Sequence, residues 1–250
     1  MAGHSRWAQI KRKKAKTDAQ RGKLFSKILR EITVAARNGG GDPKVNLRLK
    51  AAIEAAKEAN MPQDNIRRAI QKGLGELPGE AYEEALYEGY APGGVAVMVH
   101  ALTDNRNRTT SEIRHVFEKF GGHMGGAGAV AWMFERRGVI QVDAERITED
   151  DLLARALEAG AADLKRVDKV YEVYTTPNQL EGVRGALEAA RVPVLRAEVT
   201  LVPQSTVPVS PKDAPTVLRL VEALEDLDDV QAVYSNYDIP DEVIEAISAA

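Results

Sequence analysis

The spacing of apolar residues changes once along this 250-residue chain. After a basic arm it keeps the three-to-four-residue step of an amphipathic helix from Lys23 up to residue 78, and from residue 79 onward strand-like alternation and helical stripes interleave. A chain patterned in this way is confined to a helical segment followed by layers of sheet and helix. Between Lys23 and Arg37, the stripe Leu24, Phe25, Ile28, Leu29, Ile32 and Ala36 leaves Lys23, Lys27, Arg30 and Arg37 off it, and Asn38-Gly39-Gly40-Gly41 supplies the stop. A second helix is expected from Asp42-Pro43, a cap followed by a first-turn proline, burying Val45, Leu49, Ala52, Ile53 and Ala56. A third follows "ANMP", with Ile66, Ala69 and Ile70 inside, Arg67, Arg68 and Lys72 outside, and Gly73 as its end. The tight link between the last two is compatible with a helix-turn-helix, whose second helix enters a major groove, and equally with any small three-helix bundle.

Past the turn-rich "GLGELPGEAYEEA", the run "GVAVMVHAL" (94–102) is apolar on both faces, as an interior strand requires. In "TDNRNRTTSEIRHVFEKFGG", Thr109 and Glu112 read as a capping box, Ile113, Val116, Phe117 and Phe120 as the buried face, and Gly121-Gly122 as the stop. "AVAWMFE" (129–135) reads as a further strand. From 138 the order is a strand, "GVIQV", then a helix capped by Thr148 that buries Leu152, Leu153, Ala156 and Leu157. Two strands across "ADLKRVDKVYEVYTT" follow, then a helix opened by Thr176 and Gln179 that buries Leu180, Val183 and Leu187, then the alternating strand "VLRAEVTLV". This β-α-β-β-α-β order is ferredoxin-like. A last helix, capped by Ser210 with Pro211 at its first position, and a strand near 230–237 have no partners of their own. The expected fold is α+β and multidomain: an N-terminal three-helix bundle (1–78), a discontinuous α+β middle domain (79–137 and 204–250), and a ferredoxin-like domain (138–203) inserted in it. The alternative for 79–250 is one continuous acidic domain.

Charge is divided as unevenly as periodicity. The net is only -3, yet residues 1–78 hold 18 Lys and Arg against 7 Asp and Glu (net +11), and residues 79–250 hold 16 against 30 (net -14). Such a split suits a polyanionic partner for the basic part. The densest run, "KRKKAK" (11–16), follows Arg6 and Trp7 closely. A solvated tail would need no function, and a membrane-surface segment would need a broad apolar face where positions 8–20 offer little beyond Ile10 and alanines. Nucleic-acid binding accounts for both the cations and the tryptophan. Arg6, Lys11, Arg12, Lys13, Lys14, Lys16, Lys23 and Lys27 are then assigned to phosphates, and Trp7 to a stacking or anchoring contact. If about six cations meet phosphates, log affinity falls against log salt with a slope of roughly -5 on duplex DNA and roughly -4 on single strands. On the third helix Arg67, Arg68 and Gln71 are the residues that would read a duplex groove. Arg106 and Arg108, placed just before a helix start, form a second anion site unless they pair with neighbouring carboxylates.

Other functions leave no trace. The absence of cysteine excludes disulfides, thiolate nucleophiles and Cys-ligated metals, and fits a reducing cytosol. His4, His100, His115 and His123 have no helical i, i+4 pairing of the kind a zinc site uses, and none is assigned to catalysis. Gly126 and Gly128 begin a dinucleotide-like pattern, but a strand-like run follows where a helix is needed, so residues 121–128 read as a flexible loop. No apolar run approaches a membrane span and no secretory h-region opens the chain. The expectation is a cytoplasmic, non-enzymatic protein without cofactors, whose acidic domains are available to a protein partner.

Four segments, "AGHSRWAQIKRKKAKTDAQRGKLFSK", "NMPQDNIRRAIQKG", "YEGYAPGGVAVMVHALTDNRNRT" and "GGHMGGAGAVAWMFERRG", resemble the signature segments of the YebC family, which includes the mitochondrial translational activator of cytochrome oxidase subunit I. The resemblance runs almost end to end. It implies a helical N-terminal domain and two α+β domains, no enzymatic activity, and one of two roles: a DNA-binding transcriptional regulator, or a ribosome-associated factor that contacts ribosomal RNA and assists synthesis of proline-rich stretches. The chain departs from the family pattern at His123, where Asn is usual, at Ala129, where Ser is usual, and at Trp132, where Tyr or Phe is common. In the arm, "QIKRKK" replaces the commoner "NIKHRK" and preserves its charge.

Overall fold

The computed structural model describes residues 18–167 and 169–249. In chain order they form helices α1 (Asp18–Gly39), α2 (Leu47–Glu58) and α3 (Gln63–Gly73), strands β1 (Glu83–Ala91) and β2 (Val95–Thr103), helix α4 (Arg106–Lys119) and the short strand β3 (His123–Met124). Then come β4 (Phe134–Asp143), α5 (Glu149–Glu158), β5 (Asp163–Val167), β6 (Val170–Thr175), α6 (Leu180–Ala189) and β7 (Val194–Pro203). The chain ends with β8 (Val207–Pro208), α7 (Ala214–Glu225), β9 (Val230–Ser235), β10 (Tyr237–Asp238) and α8 (Asp241–Ala249). Two compact units result. The first holds the described residues up to Ala129 with Pro215–Val233, and the second holds Val130–Ala214 with the described residues from Tyr234 onward.

In the first unit α1 supplies Ile28, Ile32, Ala35 and Ala36 to a core completed by Leu49, Ala52 and Ala56 of α2, Met61, and Ile66 and Ala69 of α3. Helix α2 begins four residues later than Pro43 suggests. The Asp42 carbonyl accepts from the Asn46 N–H at 2.9 Å and its carboxylate from the Lys44 N–H at 2.9 Å, so Asp42 heads a turn rather than a helix. The cap is Asn46: its side-chain oxygen accepts from the Leu49 N–H at 3.0 Å, and its amide donates to the Ala35 and Gly40 carbonyls at 2.7 and 2.8 Å. One buried side chain thus satisfies orphan groups at the start of α2 and the end of α1. Val45, expected inside, is 80% exposed as a result, and Leu24 also stays at the surface. Between α2 and α3 the chain reverses through Asn60 at φ 57, while the Met61 N–H returns to the Ala56 carbonyl and the Met61 side chain is buried.

The first sheet has the order β3-β1-β2-β9. β1 and β2 are antiparallel with Ala91 opposite Val95, and β2 is buried along nearly its whole length, as its apolar faces require. Its other neighbour arrives from far along the chain: the Leu102 N–H donates to the Asp229 carbonyl at 2.8 Å just before β9 begins. Helix α4 buries Ile113, Val116 and Phe117, ends at Lys119, and is followed by Gly121 at φ 73, which turns the chain away. It starts earlier than the Thr109 capping box implies. Asn105 is the cap, accepting from the Arg108 N–H at 3.1 Å, and Thr109 is a fully buried residue inside the helix. Three contacts fix the bundle to this sheet: Arg37 donates to the Tyr82 and Glu80 carbonyls, Arg48 bridges Glu31 and Glu84, and Arg30 lies over the Tyr82 ring.

The second unit holds the ferredoxin-like βαββαβ arrangement, with strand order β5-β6-β4-β7 and all neighbours antiparallel. The expected strand 129–135 is absent. Residues Ala131–Met133 form a 3-10 turn, and β4 runs unbroken from Phe134 to Asp143, taking in "GVIQV". One face of the sheet packs Ile140, Val142, Tyr171 and Val173 against Leu152 and Ala156 of α5 and Leu180, Val183 and Leu187 of α6. Each of the buried Val, Leu and Ile side chains contributes roughly 1.5–3 kcal/mol. Thr148 caps α5 as expected, accepting from the Asp151 N–H, but Leu153 and Leu157 face outward. The parallel pair β8 and β10 is tied by the Val207 N–H to the Asn236 carbonyl at 2.8 Å.

Candidate nucleic-acid interface

Three of the cations that line the outer side of α1 are occupied. The last carbonyls of a helix lack N–H partners and lie at the negative end of its dipole, which draws cations. The end of α7 is such a place. The Lys27 ammonium donates to the Glu225 carbonyl at 2.5 Å, Lys23 donates to the Asp226 carbonyl at 3.2 Å and lies 3.9 Å from the Asp228 carboxylate, and Arg30 donates to the Asp228 carbonyl.

Asp229 is the hub of this junction. Its carboxylate is buried, pairs with Arg30 at 2.9 Å and Arg108 at 2.7 Å, and accepts from the Thr109 and Thr103 hydroxyls at 2.6 and 3.1 Å. Burial alone would raise its pKa, but the hydrogen bonds from Arg108 and Thr109 and the charge of Arg30 hold it below the usual carboxylate value. Arg108 also pairs with Asp104 at 2.7 Å, and its pKa is raised by these carboxylates. A cleft of about 590 Å³ beside the hub is lined by Lys23, Arg30 and Arg108 and by the carboxylates of Glu80, Asp104, Glu112, Asp226, Asp228 and Asp229. Acids outnumber bases there two to one, so the cleft does not favour a phosphate. Arg106 and Arg108 do not precede α4 but occupy its first turn; Arg106 lies more open, 3.9 Å from Glu83.

The outer face of α3 is different. Ile66 and Ala69 point into the core, and Gly73 sits so close to α1 that a Cβ would lie 2.4 Å from the Thr33 carbonyl. That packing turns Arg67, Arg68 and Lys72 outward and leaves Gln71 half-buried. The Arg67 side chain is 71% exposed and pairs with Asp64 at 2.8 Å, a surface pair of little energetic weight that a phosphate can displace. Arg6, Trp7, Lys11, Arg12, Lys13, Lys14 and Lys16 lie outside the described residues.

The glycine-rich segment 121–128, expected to be a flexible loop, is pinned. His123 and Met124 pair with Tyr90 and Gly89 of β1, and the Glu88 carboxylate accepts from the Gly128 N–H at 2.7 Å while its carbonyl accepts from Gly125. The Tyr90 hydroxyl donates to the Ala129 carbonyl at 2.9 Å, and its ring stacks on His123. Glu88 was detectable as the one acid in the apolar stretch "YEGY". His100 bonds Glu84 at 2.7 Å, linking it to Arg48; burial opposes ionisation of Glu84, but Arg48 and His100 outweigh it and lower its pKa. Asp229 has no local signal, since "EDLDDV" reads only as acid. Among the described residues no three His, Asp or Glu side chains are grouped to hold a metal, and no helix is long and apolar enough to cross a membrane.

Residues 5–76 match the model of the TACO1/YebC protein N-terminal domain, and residues 82–237 match that of the TACO1/YebC second and third domain. A protein of Aquifex aeolicus described as "Probable transcriptional regulatory protein" is 56% identical over 99% of this chain and all of its own length. One from Pelotomaculum thermopropionicum with the same description is 59% identical over 96% of this chain and all of its own. The crystal structure of a conserved hypothetical protein from Aquifex aeolicus, 56% identical, superposes with a TM-score of 0.82 over 90% of this chain and 93% of that one.

Proposed function

Because the chain belongs to the TACO1/YebC family, we propose that it is a cytoplasmic, non-enzymatic regulator of gene expression that binds nucleic acid through residues 1–78, with α3 as its described contact face. The observation that carries this function is the uneven use of charge. The basic part has a net of +11, and on α3 its cations face solvent, whereas Lys23, Lys27 and Arg30 of α1 are held by the end of α7. Free cations gain most from releasing the counterions of a phosphate backbone. Relatives described as transcriptional regulators make DNA the first partner to test. In that role Arg67, Arg68 and Gln71 lie in or along a major groove, and the arm from Arg6 to Lys16 tracks phosphates. The acidic domains, with a net of -14, stay off the polyanion and are available to a protein partner.

One observation favours the ribosome instead of an operator. The outer face of α3 offers the cations Arg67, Arg68 and Lys72, while Gln71, the amide expected to meet a base edge, is half-buried, a pattern that suits backbone contact. The two partners are separated by experiment. Titration of short duplexes gives tighter binding to a cognate sequence than to its scrambled counterpart if the chain reads DNA; equal affinity eliminates operator recognition. Sedimentation with translating ribosomes at moderate salt tests the second role, and a chain that stays in the supernatant eliminates it.

A further inference from the structure

Trp132 is 68% exposed. An indole carries a large apolar surface and in a folded chain is ordinarily well buried. The backbone that carries this one is fixed on both sides. Val130 and Phe134 are buried, the Met133 N–H donates to the Val130 carbonyl at 2.9 Å, and the Gln204 N–H donates to the Met133 carbonyl at 2.9 Å. The 3-10 turn Ala131–Met133 therefore holds the ring outward at the point where β4 begins, and its exposure is not that of a loose loop.

The surroundings of the ring are polar and poor in acid. Between residues 130 and 138 Arg136 and Arg137 stand against Glu135 alone, and the stretch 199–207, which runs from β7 to β8, carries no charge. The net of -14 is thus unevenly spread over residues 79–250. Arg137 is tied to Glu135 at 2.7 Å, whereas Arg136 is exposed, and among the described residues its guanidinium has no hydrogen bond or ion pair. Arg136 follows Trp132 by four residues, so the two backbone positions are at most about 14 Å apart. Gln204, Ser205 and Thr206 are exposed beside the turn. A protein partner that buried the indole would want apolar neighbours. A nucleobase, apolar on its faces, polar at its edge and joined to a phosphate, matches an indole flanked by an amide and a guanidinium. In a duplex those faces are covered by stacking. We propose that Trp132 is a stacking platform for an unpaired base of a single-stranded nucleic acid, with Arg136 on an adjoining phosphate and the Gln204 amide at the base edge. This rests on the reading that the chain binds nucleic acid, and adds to it a contact outside residues 1–78.

The chain has two tryptophans, so W7F leaves Trp132 as the only indole and its emission reports the site directly. The probe is an end-labelled RNA of about 20 nucleotides, used alone and annealed to its complement, with the anisotropy of the label following binding independently of the indole. The single strand is expected to quench Trp132, and the duplex to bind without quenching it. In the otherwise natural chain W132A weakens binding of the single strand about tenfold, W132F, which keeps an aromatic face, restores most of the loss, and duplex affinity stays within about twofold. R136Q lowers the log-log salt slope on the single strand by about 0.7. A single strand that binds and leaves Trp132 emission unchanged overturns the proposal. So does a W132A chain that keeps its affinity for the single strand or loses as much for the duplex, or a W132F chain as weak as W132A. An RNA that binds in neither form overturns the nucleic-acid reading itself, and the anisotropy separates that outcome from the others.

Discussion

Single side chains hold this molecule together where elements far apart in sequence meet. Asn46 makes three hydrogen bonds from a buried position, to Leu49, Ala35 and Gly40. Asn46→Ala removes the cap and strands two carbonyls, and costs about 2 kcal/mol in urea unfolding. A loss below about 0.5 kcal/mol would show that water replaces the side chain. Asp229 carries more, since it compensates Arg30 and Arg108 together. Asp229→Asn is expected to cost about 3 kcal/mol at neutral pH. Its folded pKa lies below the ordinary 3.8, so the stability it supplies is present above that value and is lost as pH falls through the lower folded value. The difference between natural and D229N unfolding midpoints therefore narrows as the pH is taken from about 7 to about 3. A constant difference would assign the effect to lost shape rather than lost charge.

At the scale of elements, α3 is the helix whose outer side has no structural duty. R67Q and R68Q together should leave the unfolding midpoint within about 0.5 kcal/mol and flatten the salt dependence of binding by about two units of log-log slope. An unchanged slope would place the interface elsewhere. Much of the element order was legible in the sequence, and the reason differs from the reason for the failures. β2 was legible because burial on both faces leaves no polar position, and α5 because Thr148 and Asp151 are three residues apart. For α2 and α4 the sequence points to the wrong first residues, since Asp42 and Thr109 are both good caps in isolation and what decides against them is distant. Asn46 is fixed by the end of α1, and Thr109 is drawn inside by Asp229, 120 residues on. Leu153 and Leu157 fit their helical stripe yet stay outside, because a stripe gives the direction of a core but not its width, whereas Val45 stays outside because it precedes the Asn46 cap. The candidate site was legible as a charge pattern only. Nothing near Lys23 or Lys27 announces that their partners lie around 200 residues away.

For the whole molecule, the asymmetry of charge sets how binding responds to its surroundings. Replacing Lys11, Arg12, Lys13 and Lys14 by glutamine should lower affinity for any phosphate backbone and reduce the log-log salt slope by about three to four units on duplex DNA. Binding that keeps its full slope would leave the arm without a role. The first sheet carries a different consequence, one that concerns the order in which the protein is made. β1 and β2 emerge from a ribosome long before β9, which completes their sheet, and before residues 225–229, which neutralise α1. During synthesis the three-helix bundle, built from contacts local in sequence, can form early, while β2 waits with one edge unpaired. For most of its translation the nascent chain therefore holds Lys23, Lys27 and Arg30 without their partners, beside the densest polyanion in the cell. The end of α7 can take up these cations only once residues 225–229 have been synthesised.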